Sequence, residues 1–343
     1  MINFKIILNV LGYLLVALSI LLIIPILIDL ISGNDSWKSF LISLIITFGF
    51  GVTFLLSTRN ELKNKILTQD AFLITTLSWI FISVFGALPF FFSDSSLSLT
   101  NSIFESMSGI TTTGSTIFNK VENLPQGILI WRSILQWVGG VGIIVMAVSI
   151  LPVLQVGGMQ VFRTESSDTT DKILPRTTQI ASAVILIYII LTVTCLIAYW
   201  VGGMNLFDAI VHSMTTIATG GFSSKNDSFA SFNNASLEYI SIIFMILSSL
   251  PILVYLEITR EGLKKALADT QIITFLSIIL LSSVLVIFYL WIQNIKDVEA
   301  AVRLGAFNVI SIITGTGYTS DNYNLWGCLL YTSDAADDRS CGG

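Results

Sequence analysis

Three segments of this chain, 101–116, 206–223 and 298–319, are each too short to cross a bilayer and too apolar to be ordinary loops. They also share a pattern. With Glu105, His212 and Asn308 aligned they read ESMSGITTTGST, HSMTTIATGGFS and NVISIITGTGYT, and Gly114, Gly221 and Gly317 fall in one column, 107 and 96 residues apart. A unit of roughly 100 residues, repeated imperfectly and best matched in a Thr/Gly turn after a short apolar helix, points to duplication around one axis that the turns face.

Composition decides the solvent. Apolar residues make up 54% of the chain, charged residues 11%, and the mean hydropathy is +0.83, which is more apolar surface than a soluble core uses. Seven runs, 6–30, 40–56, 72–92, 127–154, 180–201, 237–256 and 272–292, are long enough to span as helices. The first lacks a small-residue cleavage site and exceeds a signal peptide's apolar region, so it reads as a retained helix. Three cysteines, with only Cys195 in an apolar run, and a single histidine, His212, give neither a disulfide framework nor metal-ligand spacing. The net charge of −5 is uninformative about nucleic acid, and no nucleic-acid partner is expected.

Placing the N-terminus in the cytoplasm and letting each run cross once sorts the loops by charge. Lys5, Arg59, Lys63, Lys65, Arg163, Lys172, Arg176, Arg260, Lys264 and Lys265 fall inside, against Lys38, Lys120, Lys225, Lys296 and Arg303 outside. That bias obeys the positive-inside rule, with Arg132 near the outer end of its run able to snorkel to the interface. The three short segments must then be re-entrant from the outer face, where irregular backbone survives only if protein buries it or it lines a wet cavity.

The repeated unit is therefore helix, pore helix, Thr/Gly turn, helix. The reading divides the chain into an N-terminal two-helix hairpin (1–58), pore unit one (71–156), pore unit two (177–258) and an incomplete pore unit three (270–327). The connector 157–176 mixes both charge signs and reads equally as a docking surface or a solvated linker. After Gly327 the chain reads CLLYTSDAADDRSCGG, which resembles the in-frame translation of a transposon-end sequencing adapter. Residues 328–343 are thus expected to be non-native, with a fourth unit absent and no closed pore formed by this polypeptide alone.

A cation inside a membrane must replace its water shell with oxygen ligands. Backbone carbonyls supply them, and a Thr/Gly segment suits the task because glycine reaches conformations that turn successive carbonyls the same way. The C-terminal end of each short helix adds about half a negative charge. The segments 111–115, 218–222 and 314–318 hold no acid or base, so carbonyl selectivity is favoured over a charged ring.

The three turns, the stretch QWVGGVGIIVMAVSILPVLQVGGMQVFR from Gln136 to Arg163, and the extra hairpin resemble the TrkH/TrkG/KtrB family of potassium uptake proteins, closest to the TrkH type. The resemblance implies an all-α membrane protein of four potassium-channel-like units in pseudo-fourfold array around a K+ pore. It implies filter glycines at Gly114, Gly221 and Gly317. Ion-facing carbonyls would come from Thr111, Thr112 and Thr113, from Ala218, Thr219 and Gly220, and from Thr314, Gly315 and Thr316. It further implies a prokaryotic inner-membrane location, a homodimer in the lipid bilayer, and a cytosolic TrkA-type nucleotide-binding ring, with potassium as the transported ion and no organic cofactor. One departure is Gly315 in place of Thr112's counterpart, which removes a hydroxyl and is expected to loosen the third segment.

Glu105, His212 and Asn308 are expected to hydrogen-bond locally within the pore helices. Asp208 reads either as a helix-orienting residue or as a plain interfacial carboxylate. Gly139, Gly140 and Gly142 read as close-packing positions, and Arg132 as an interfacial anchor with filter support as the minor alternative. An enzyme is not expected: no paired-histidine or G-x-S-x-G frame is present. A KtrB-like sodium-dependent transporter is the nearest alternative, and an inverted-repeat secondary transporter is disfavoured because each unit begins and ends on one side.

Overall fold

The computed structural model describes residues 3–58, 68–93, 97–154, 173–266, 268–293 and 295–326. Its main helices are α1 (Phe4–Leu21), α2 (Ile23–Ile31), α3 (Trp37–Thr58), α4 (Thr68–Gly86), α5 (Leu88–Phe92), α6 (Leu99–Ile110), α7 (Gln126–Leu154), α8 (Ile173–Val201), α9 (Leu206–Ile217), α10 (Ala235–Ser249), α11 (Ile252–Glu261), α12 (Thr270–Ile292) and α13 (Val298–Ile313). Among the described residues there is no strand. Among the described residues, five stretches are long and apolar enough to cross a bilayer: Phe4–Ile31, Trp37–Thr58, Gln69–Phe92, Gln179–Val201 and Thr270–Ile292. Helix α7, at 29 residues, reaches about 43 Å at 1.5 Å per residue.

Prolines interrupt three of the seven apolar runs. Pro25 has no N–H to give the Leu21 carbonyl, and the first run turns between α1 and α2. Pro89 does the same between α4 and α5. The run 237–256, expected as one helix, is two: α10 ends at Ser249, Leu250 is extended (ψ 143°), and α11 resumes after Pro251. The residue before a proline is pushed away from helical angles, which explains the break.

Helices α1 to α3 are fastened to α4, α5 and α7. Helices α1 and α3 cross closely where Gly12 and Gly51 face each other's backbone, an approach that small residues permit between membrane helices. The Asn3 N–H donates to Asp70 Oδ1 (2.9 Å), the Ser39 hydroxyl to the Phe92 carbonyl (2.8 Å), and the Gly127 N–H at the start of α7 to buried Asp29 (2.7 Å).

Each short helix begins on a side-chain cap or at a capping residue. Ser98 Oγ accepts from the Asn101 N–H, Asn205 Oδ1 from the Asp208 N–H, and Asp297 precedes α13. The three short helices α6, α9 and α13 sit where the repeats place them. The core divides about them: Leu15, Phe40, Phe90 and Trp131 gather around α6 and α7, and Tyr199, Phe229, Phe307 and Tyr318 around α9 and α13. Many side chains of α12, including Leu280, Leu281, Leu285 and Phe288, are exposed, as lipid-facing residues are.

Residues 155–172, which hold most of the connector 157–176 with Arg163 and Lys172, lie outside the described residues, as do Arg59, Lys63 and Lys65 and the stretch 327–343. Ile173–Arg176, assigned to the connector, already belong to α8.

Candidate ion-binding site

The three Thr/Gly turns adopt one backbone conformation. Thr112, Thr219 and Gly315 stand in one column of the repeat and have φ of 56°, 49° and 74°; two residues on, Gly114, Gly221 and Gly317 have φ of 80°, 74° and 78°. Left-handed residues thus alternate with ordinary ones. A non-glycine residue pays about 1–2 kcal/mol for this region, so two threonines held there mark a conformation imposed by their surroundings. Gly315 takes the same angles without that cost. The glycine expected to loosen the third segment preserves its shape.

The first left-handed residue closes the short helix. The Thr113 N–H bonds the Ser108 carbonyl and the Thr112 N–H that of Gly109; the Gly220 N–H bonds Thr215 and the Thr219 N–H bonds Thr216, a paired closure of the helix end. In unit three the Gly315 N–H bonds Ile312 and the Gly317 N–H bonds Ser311.

Beyond the turn, each pore helix ties the emerging chain back to itself. Glu105 accepts from the Thr116 hydroxyl (2.9 Å) and the Ile117 N–H (3.0 Å). His212 donates from Nδ1 to the Asp208 carbonyl, which can only accept, so Nε2 accepts from the Ser223 hydroxyl (2.9 Å). Asn308 donates to Ser320 Oγ at 3.0 Å. The aligned column therefore does one job with three chemistries. Ser108 and Ser311, also aligned, donate to the carbonyls of Ser115 and Tyr318.

Neighbouring units interlock through the Thr/Gly turns. A Cβ added to Gly114 would collide with the Gly220 carbonyl oxygen, and one added to Gly221 with the Thr316 carbonyl oxygen. Unit one thus abuts unit two, and unit two abuts unit three, through equivalent atoms. The aromatic residues that follow Gly221 and Gly317, Phe222 and Tyr318, reach back to the preceding unit, whereas Gly114 is followed by Ser115. Phe222 lies 4.0 Å from the Arg132 guanidinium carbon, and the Tyr318 hydroxyl contacts Thr215 Oγ1 (2.5 Å) and Thr216 Oγ1 (3.2 Å).

Helix α7 runs between the first two segments. Gly139 packs on the Ile110 carbonyl and Gly140 against Ala218, while around Gly142 nothing described lies within 4 Å. Arg132 is no interfacial anchor. It is 2% exposed, its Nε donates to Glu105 (2.7 Å) and its Nη1 to the Ser223 carbonyl (3.2 Å), because a guanidinium's several donors bind two acceptors at once. One turn on, Gln136 donates to the Gly220 carbonyl (2.6 Å) and accepts from the Phe222 N–H (3.1 Å). That residue carried no assigned role in sequence, although it opens the QWVGGVG stretch. Asp208 orients α9 and the loop above: Asn205 Nδ2 (2.6 Å) and Ser224 Oγ (2.5 Å) both donate to it.

All twelve residues assigned to the filter from sequence, Thr111–Gly114, Ala218–Gly221 and Thr314–Gly317, lie in these three turns. Among the described residues no cluster of His, Cys, Asp or Glu suits a tightly held metal.

The sequence model of a family described as "TrkH: Cation transport protein" matches residues 36–327. The chain is 39% identical over 330 residues to the Trk system potassium uptake protein TrkI of Halomonas elongata, covering 95% of this chain and 66% of that protein. It is 36% identical over 333 residues to the Trk system potassium uptake protein TrkH of Escherichia coli K12, covering 96% of this chain and 69% of that one. The crystal structure of the potassium transporter TrkH from Vibrio parahaemolyticus superposes with a TM-score of 0.86 at 31% identity, over 97% of this chain and 69% of that one. The chain thus spans about two thirds of the length of these relatives. The fold, the repeated pore helices and these matches agree that this chain belongs to the TrkH family of cation transport proteins.

Proposed function

We propose that this chain forms the greater part of a potassium uptake pore, in which the Thr/Gly turns dip from the outer face and strip K+ of water. The observation that carries this reading is the shared alternation of left-handed and ordinary residues across Thr111–Gly114, Ala218–Gly221 and Thr314–Gly317. Backbone alternating in this way turns successive carbonyls toward one side, which is how a stack of oxygens takes the place of a hydration shell. The turns that close α6, α9 and α13 abut pairwise, Gly114 on the Gly220 carbonyl and Gly221 on the Thr316 carbonyl, and the partial negative charge at each helix C-terminus supports a cation nearby.

The boundaries of the hairpin and of units one to three are proposed as 1–58, 71–156, 177–258 and 270–327, with a further unit completing the ring beside Gly317. We place the protein in a prokaryotic inner membrane with its N-terminus inside. Potassium then enters down the membrane potential, which contributes about 2.3 kcal/mol per charge per 100 mV. A homodimer and a cytosolic TrkA-type nucleotide-binding ring are the proposed partners.

The test is Gly114→Ser in the protein as its own cells make it, reconstituted into liposomes, with K+ and Na+ flux measured under an imposed voltage. A side chain there meets the Gly220 carbonyl. Potassium preference over sodium is expected to fall at least tenfold; an unchanged ratio sinks the assignment. Potassium flux that requires sodium would move the reading to the sodium-dependent type.

A further inference from the structure

The second filter segment is chemically the poorest of the three. In unit one the hydroxyls of Thr111 and Thr113 brace each other across the left-handed residue at 2.8 Å, and in unit three those of Thr314 and Thr316 do so at 2.9 Å. The aligned residues of unit two are Ala218 and Gly220, which have no hydroxyl. Unit two also carries two successive glycines, Gly220 and Gly221, so the peptide between them is the one that side chains restrain least.

Gln136 holds that peptide from outside the unit. Its Nε2 donates to the Gly220 carbonyl oxygen at 2.6 Å, and its Oε1 accepts from the Phe222 N–H at 3.1 Å, gripping the chain on both sides of Gly221. The fit is reciprocal: a Cβ on Gly220 would lie 2.5 Å from Gln136 Cδ, so the missing side chain is the space the amide occupies. Gln136 is fully buried, and Arg132, one turn earlier on α7, binds the same segment at Ser223.

We propose that Gln136 is a positioning residue for ion selectivity, which fixes the Gly220–Gly221 peptide in place of the threonine pair used by the other two units. The proposal rests on the filter reading above. By holding one carbonyl of unit two from a helix of unit one, Gln136 also sets the separation between the first two filter segments. Losing the amide frees a Gly-Gly peptide to rotate, which changes the oxygens offered to the ion while leaving the apolar core untouched.

The experiment compares wild type, Gln136→Leu and the uncharged, similarly long Gln136→Met, each reconstituted as the protein its own cells make. It measures K+, Rb+ and Na+ flux together with the amount of folded protein and its unfolding temperature. Methionine keeps the length of the side chain without burying a charge and loses both hydrogen bonds. Both variants are expected to lose K+ over Na+ preference about tenfold, with sodium flux rising, in protein that still folds. If Gln136→Leu fails to reach the membrane, Gln136→Met decides alone. A selective wild type with an equally selective Gln136→Met overturns the proposal. A wild type that itself does not prefer potassium overturns the filter reading and the proposal with it.

Discussion

Arg132 and Glu105 meet with Nε 2.7 Å from Oε1, both side chains buried, and Arg132 continues to the Ser223 carbonyl of the adjoining unit. Removing one member of such a pair strands a buried charge, which costs about 3–5 kcal/mol. Arg132→Met is therefore expected to be severely destabilised. Glu105→Gln combined with Arg132→Met should recover part of the loss, because no charge is then left alone. Unfolding in detergent micelles measures both, and an Arg132→Met protein as stable as wild type would refute the brace.

Gly139 and Gly142 share a helix but not a fate. A methyl group on Gly139 runs into the backbone carbonyl of Ile110, whereas on Gly142 it meets no described atom within 4 Å. Gly139→Ala should cost about 1–3 kcal/mol through overpacking. Gly142→Ala should be neutral or stabilise by up to about 1 kcal/mol, since alanine suits a helix better. Equal unfolding temperatures for the two variants would contradict this packing.

The Tyr318 hydroxyl contacts Thr215, Thr216 and the His212 carbonyl, all in the preceding unit. Tyr318→Phe keeps the ring but removes these bonds, at about 0.5–1.5 kcal/mol for each one that counts. A double-mutant cycle with Thr215→Val is expected to show coupling; strict additivity would mean that the contact carries no energy.

Asp321 lies past the third turn and bonds Lys296 Nζ at 2.7 Å and the Trp326 indole at 2.9 Å. Burial alone would raise its carboxyl, but the lysine and indole donors outweigh it and hold the group below its ordinary 3.8. A depressed carboxylate stabilises the folded state at neutral pH, and that contribution fades only as pH drops below the ordinary value and through the depressed one. The stability gap between wild type and Asp321→Asn should stay constant from pH 8 to about 5 and close below about pH 4. A gap that closes near neutrality would assign the effect to another group.

Much of this was legible in sequence for a physical reason: apolar length and a repeated turn are local properties. The three short helices, the left-handed glycines and the aligned column of Glu105, His212 and Asn308 all follow from residues within one segment. Arg132 and Gln136 were not legible in the same way, because the backbone groups they bind in the next unit lie 84 to 91 residues further along and their position in an apolar run looks interfacial. A polar pair at i and i+4 in an otherwise apolar helix is the available signal, since such groups are costly in lipid unless they serve something. The break at Pro251 was also readable, yet the hydropathy of 237–256 masked it.

The contacts of Phe222 with Arg132 and of Tyr318 with Thr215 all point backward along the chain. Every later turn leans on a helix that left the ribosome before it. Synthesis therefore delivers the parts in the order in which they can be seated, and a cell can raise these units stave by stave during translation, each new piece finding its support already standing.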